Sequence, residues 1–163
     1  MAMDWGAWPM PDKKVRFKTL VWAFKDTKIS YPEYAELPKK KITSPKDFYE
    51  LFNPIFLEEA KEVFLVAWLS SSNKVQGFEI ISSGTLNSAV VDPRAVFRSA
   101  IVANCANIII AHNHPSGNIE PSNEDISLTK KLVEAGKLIE INIYDHIIFA
   151  EDRYTSFVER RLI

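Results

Sequence analysis

The run Asn107-Ile-Ile-Ile-Ala111 constrains this chain more than any other segment, because consecutive β-branched residues between short side chains read as a buried strand. The strand runs straight into His112-Asn-His114, and Pro115 and Gly117 then break it. Residues i and i+2 of a strand share a face, with Cα atoms about 6.5 Å apart. Both imidazoles can therefore turn to one ion. The loop from Ser116 to Pro121 delivers the chain to a helix starting near Ser122, which puts Asp125 in that helix's first turn. Two imidazoles and a carboxylate form a nitrogen and oxygen ligand set suited to one Zn²⁺, and three protein ligands leave a fourth tetrahedral position open. Such a site is built for hydrolysis, since bound zinc polarises a carbonyl and lowers the pKa of its water to about 7.

Each position also has a plainer use. Ser122-x-x-Asp125 has the form of a capping box, with the serine capping a helix and an acid in its first turn. The capping and metal readings are compatible. His146, the third histidine, follows Asp145 in a long apolar strand and reads first as a satisfied core or surface histidine, with a further ligand or an outer partner of the site as the alternatives. The lysines at 39–41 read as a solvated turn, and Thr85, Asn87 and Ser88 as a turn.

The remaining punctuation predicts an α/β chain. Ser44, Pro45 and Asp47 signal a helix running to about Leu51. A further short turn is predicted over Glu58 to Lys61. Glu62 to Ser70 and Val75 to Ser82 read as a hairpin around Ser71-Ser-Asn-Lys74. Asp92-Pro93 caps a helix to about Asn104, with Val96, Ala100 and Ala103 on one stripe. The next helix spans Ser122 to Ala135, with Ile126, Leu128, Leu132 and Val133 inward and Gly136 as its C-terminal cap. Leu138 to Ala150 and Tyr154 to Phe157 read as a closing hairpin. Residues 1–41 form an N-terminal tail with a possible extra strand over Val15 to Phe24, and 42–163 form the folded domain.

Composition narrows the function. At 163 residues with 47% hydrophobic side chains, one domain with its own core is expected. A net charge of −1 exerts no global pull on nucleic acid or membrane. Cys105 stands alone, which excludes an internal disulfide and a cysteine-rich zinc ribbon, and its apolar surroundings predict a small buried hydrophobe. Residues 1–12 show no basic start followed by an apolar core, and no run approaches a membrane span, so cytoplasmic residence is the expectation.

The string from His112 to Asp125 resembles the JAMM pattern of the MPN/JAB metalloprotease superfamily: His-x-His, ten residues, then Asp, with serine three before it. Gly84-Thr-Leu-Asn-Ser88, Ala111-His-Asn-His-Pro-Ser-Gly117, Pro121-Ser122, Asp145-His146 and Arg153-Tyr-Thr-Ser156 resemble in order the RadC branch, whose proteins carry a DNA-repair label. The resemblance runs from near Ile42 to Ile163. It implies a JAB/MPN domain of cytidine-deaminase-like type, a mixed β-sheet flanked by helices. It further implies His112, His114 and Asp125 as zinc ligands, and Ser122 as the group that hydrogen-bonds the oxyanion or the water. Glu79 falls at the position of the family's general base. In the sequence it shares a strand face with Val75 and Ile81, an acid on an apolar side, where burial favours taking up a proton. The function implied is amide-bond hydrolysis on a protein or peptide substrate, peptide or isopeptide.

Two alternatives stand beside it. The RadC label suggests a nucleic-acid-binding or protein-binding repair accessory without proteolysis. The fuller RadC arrangement places helix-hairpin-helix elements with glycine turns before the metal domain, whereas Gly6 is the only glycine before residue 77. A metal-free scaffold is the other. Deaminase chemistry is disfavoured, since the His-x-Glu and Pro-Cys-x-x-Cys elements are absent. No residue pattern sets an oligomeric state.

Overall fold

An uninterrupted apolar run needs cover on both faces, and the computed structural model, which describes residues 40–57, 59–84 and 91–163, gives it. Ile108 to Ala111 are buried in β3 (Asn107–Asn113), the middle strand of a five-stranded mixed sheet. The flanking strands are β1 (Glu62–Leu69), β2 (Val75–Gly84), β4 (Asn142–Ala150) and β5 (Arg153–Ser156), in the order β2-β1-β3-β4-β5. β3 pairs antiparallel with β1 and parallel with β4. The remaining neighbours are the antiparallel hairpins β1–β2 and β4–β5. A parallel pair needs a crossover, and the helix that provides it is the one carrying Asp125.

One helix lies on one side of the sheet and two on the other. α1 (Pro45–Phe56) buries Phe48, Leu51, Phe52 and Phe56 against Leu65, Ile109, Ile147 and Phe149. α2 (Pro93–Val102) and α3 (Asn123–Leu138) bury Val96, Phe97, Ala100, Leu128 and Leu132 against Phe64, Val66, Ile108 and Ile110. Full burial of one such side chain contributes about 1.5–3 kcal/mol. The α/β class and the mixed sheet flanked by helices follow the sequence expectation.

Several boundaries differ, each for a tertiary reason. α1 continues past Leu51 to Phe56 through an internal Pro54, because Phe52 and Phe56 add a further turn of core-facing side chains. β4 begins at Asn142, since Leu138 ends α3 and is exposed. Gly136 is not a C-terminal cap. It lies inside α3, where a Cβ would stand 2.4 Å from the Ile141 carbonyl oxygen, and its own carbonyl accepts the Ile139 and Ile141 amides. Of the residues expected inward on α3, Leu128 and Leu132 are buried, with Thr129 and Gly136 beside them, while Ile126 and Val133 are half-buried. Cys105 is half-buried, with its thiol donating to the Ala100 carbonyl, and burial pushes the thiol pKa up. The expected strand over Val15 to Phe24 and the turn at Thr85 to Ser88 lie outside the described residues. No helix among the described residues is long and apolar enough to cross a membrane.

Candidate metal centre

Strand alternation points His112 toward the α2/α3 side, because it follows Ile110 by two residues. His114 lies one residue beyond the end of β3, with its amide donating to the Phe149 carbonyl (2.8 Å). Gly117, at φ +77°, turns the chain back, so that the Asn118 carbonyl reaches His114 Nδ1 at 2.6 Å. Ser122 then caps α3 in a full capping box: its hydroxyl accepts from the Asp125 amide (3.0 Å) and donates to Asp125 Oδ2 (2.7 Å), while its own amide donates to the same oxygen (2.8 Å). The cap thereby fixes the carboxylate that faces the histidines.

His112, His114 and Asp125 are brought together, with one donor atom of each within 4.8 Å of the others. His112 Nε2 lies 3.0 Å from His114 Nε2 and 3.4 Å from Asp125 Oδ1, and His114 Nε2 lies 3.7 Å from Asp125 Oδ2. A tetrahedral ion with ligand bonds of about 2.0–2.1 Å separates neighbouring donors by about 3.3 Å. The two imidazole nitrogens lie slightly inside that spacing, and the nearest carboxylate oxygen to each lies slightly outside it, Oδ1 for His112 and Oδ2 for His114.

The hydrogen bonds behind the rings decide what the inner nitrogens carry. His114 Nδ1 faces a carbonyl, which only accepts, so Nδ1 holds the hydrogen and Nε2 of the neutral ring is bare. Thr129 Oγ1 donates to the Asp125 carbonyl (2.6 Å), so toward His146 Nδ1, also 2.6 Å away, it accepts. His146 Nε2 is then the acceptor for His112 Nδ1 at 2.8 Å, and His112 Nε2 is bare as well. Two lone pairs meeting at 3.0 Å repel one another, and a proton or a metal cation between them would relieve that repulsion. Burial opposes the proton: it pushes His112 down to about 4, with His114 adding to the effect and the Asp125 carboxylate opposing it. His146 is held well below the usual range by burial first and by His112 and His114 next. The donor set fits a metal ion.

Asn113, between the two histidines, points to the opposite face. It is buried, accepts from the Val63 amide (2.7 Å) and donates to the carbonyls of Lys61 (2.9 Å) and Glu59 (3.2 Å). On the outer side, Arg160 bonds Glu120 (2.7 Å) and Arg153 bonds the Gly117 carbonyl (3.3 Å), restraining the loop between His114 and Asp125.

Glu79 is not in the cluster. It pairs with Val66, which pairs with Ile110, so it shares the His112 face at a Cα distance of about 12 Å by strand geometry. Its expected face partner Val75 lies on the α1 side, because a bulge between Trp68 and Leu69 leaves Gln76 unpaired and reverses the alternation. Nor is Glu79 buried. Its side chain is 39% exposed and Arg98 of α2 holds Oε1 at 3.3 Å. Sequence reasoning passed over Arg98 and Thr129; the latter had a local signal, since it stands one helical turn after Asp125 on the same face.

The RadC-like JAB domain family model matches residues 42–162. The chain belongs to this family. A UPF0758 protein of Methanosarcina mazei is 46% identical over 130 residues, covering 80% of this chain and 57% of that protein. UPF0758 proteins of Salinibacter ruber and Staphylococcus carnosus are 43% and 46% identical, covering 77% and 74% of this chain and 54% of each relative. The chain spans just over half the length of these curated relatives. The JAB assignment agrees with the resemblance carried by the His112 to Asp125 string.

Proposed function

We propose that the chain is a zinc-dependent hydrolase of amide bonds, peptide or isopeptide, in which His112, His114 and Asp125 hold one zinc ion, Glu79 is the general base and Ser122 steadies the oxyanion. The observation that carries this reading is the convergence of two bare imidazole nitrogens and a carboxylate, with one donor atom of each within 4.8 Å of the others. Membership of the JAB family supports it. When bound, zinc supplies a Lewis acid for the scissile carbonyl and lowers the pKa of its water to about 7.

The chain's own groups do the rest. Arg98 fixes Glu79 Oε1 and so aims the carboxylate, leaving Oε2 to accept the proton of the attacking water and return it to the departing amine. Ser122 has one hydroxyl hydrogen, given in the resting state to Asp125 Oδ2. Turning it to the oxyanion leaves that oxygen still held by the Ser122 amide, so the ligand keeps its place while the oxyanion gains a donor.

Metal analysis of the purified chain beside His114→Ala tests the centre, with one zinc in wild type and none in the variant expected. Glu79→Gln should keep its zinc and lose about 10²–10⁴-fold in hydrolysis of peptides that wild type cleaves. A Glu79→Gln protein with full activity would refute the base assignment, and a wild type that takes up no zinc would refute the whole.

A further inference from the structure

His146 takes no part in the chemistry above, yet it is one of the most enclosed polar side chains around the centre, at 0% exposure. Its ring stacks on Phe157 (4.4 Å between centroids) and meets Phe64 edge-on (6.0 Å). Both of its nitrogens are committed, Nε2 to His112 and Nδ1 to Thr129, itself fully buried. The chain of bonds therefore starts on one candidate ligand, His112, and ends on the backbone carbonyl of another, Asp125. It has a single consistent direction, because a carbonyl sits at its end.

We infer that His146 and Thr129 are positioning residues for the metal. They hold His112 in the tautomer that offers Nε2 to the ion, and they couple its ring to the turn of α3 that carries Asp125. This rests on the metal reading above. A neutral imidazole carries its proton on either nitrogen, and a proton on Nε2 blocks coordination. Without Thr129 Oγ1, the His146 Nδ1 hydrogen faces a buried site with no acceptor. That cost is relieved if His146 carries its proton on Nε2 and donates to His112 Nδ1. The His112 proton then moves to Nε2, and the ligand is closed.

Thr129→Val keeps the shape and removes the hydroxyl, and His146→Phe keeps the stacking and removes both nitrogens. Each should weaken zinc binding by about tenfold to a hundredfold in chelator competition. The double variant should be no weaker than the poorer single one, since both break the same chain. His146→Gln, with a carbonyl to accept from His112 and an amide to donate to Thr129, should recover part of the loss. Long-range proton–nitrogen NMR of the metal-free chain reads the tautomer directly: His112 protonated on Nδ1 in wild type and on Nε2 in Thr129→Val. If His146→Phe fails to fold, Thr129→Val carries the test alone. A Thr129→Val protein with zinc affinity within about twofold of wild type and an unchanged His112 tautomer overturns this inference and leaves the metal site standing. A wild type that binds no zinc overturns both.

Discussion

Replacing Ser122 with Ala separates two tasks that meet on one hydroxyl. The variant loses the bond from the Asp125 amide to Oγ (3.0 Å) and the bond from Oγ to Asp125 Oδ2 (2.7 Å), and keeps the bond from the residue 122 amide (2.8 Å). Loss of an N-cap costs about 0.5–2 kcal/mol. A domain stable by about 5–15 kcal/mol remains more than about 99% folded after such a loss. The lost stability alone therefore cannot lower turnover measurably, and the residue 122 amide still holds Asp125 Oδ2 in the variant. Loss of an oxyanion donor, in contrast, lowers kcat by about 10²–10³-fold. The chain holds its own control: Ser44 caps α1 in the same kind of box with Asp47, whose amide donates to Ser44 Oγ at 3.2 Å, on the far side of the sheet from the histidines. Urea denaturation followed by circular dichroism should show Ser44→Ala and Ser122→Ala losing similar stability. Steady-state hydrolysis by the zinc-loaded chains should fall only in Ser122→Ala. Equal turnover in wild type and both variants would reduce Ser122 to a cap and refute its catalytic role.

Two further outcomes follow from packing and burial. The His112 pKa is about 4 in the folded chain against 6.5 as its ordinary value, so between these values the unfolded chain binds a proton that the folded chain refuses. The stability of the metal-free protein should be whole above pH 6.5 and fall steadily on acidification toward pH 4, with buried His146 acting in the same direction; denaturation midpoints that stay level across this range would contradict the burial argument. Gly136→Ala in an exposed helix would add about 1 kcal/mol of stability. Here the new Cβ meets the Ile141 carbonyl oxygen at 2.4 Å, so a net loss of about 1–3 kcal/mol is expected in urea titration, and a gain would show that α3 can shift off β4 freely.

What could be read from the sequence was local. The β3 run, both serine caps and the histidine pair with its aspartate are signals contained within a few residues, and each appears where expected. What could not be read depends on contacts between distant segments. Gly136 near a helix end looks like a cap until the Ile141 carbonyl is seen beside it. Sequence alternation puts Glu79 on one face with Val75 because it does not announce a bulge, and the Arg98 ion pair exists only once α2 lies over β2. His146 and Thr129 are 17 residues apart, and only the packing of α3 on β4 joins them.

The side chain between the two histidines has a practical consequence. Asn113 reaches through to the other face and grips the backbone at Glu59, Lys61 and Val63, so the chain entering β1 is part of the foundation of a centre to which it gives no ligand. A shortened version cut back to the first strand would keep His112, His114 and Asp125 and still strip Asn113 of two of its three partners, leaving a buried amide unsatisfied directly beneath them. The minimal folded unit therefore begins upstream of the first strand, where α1 covers the reverse face of the sheet and the segment from Glu59 to Val63 tethers the strand that carries His112.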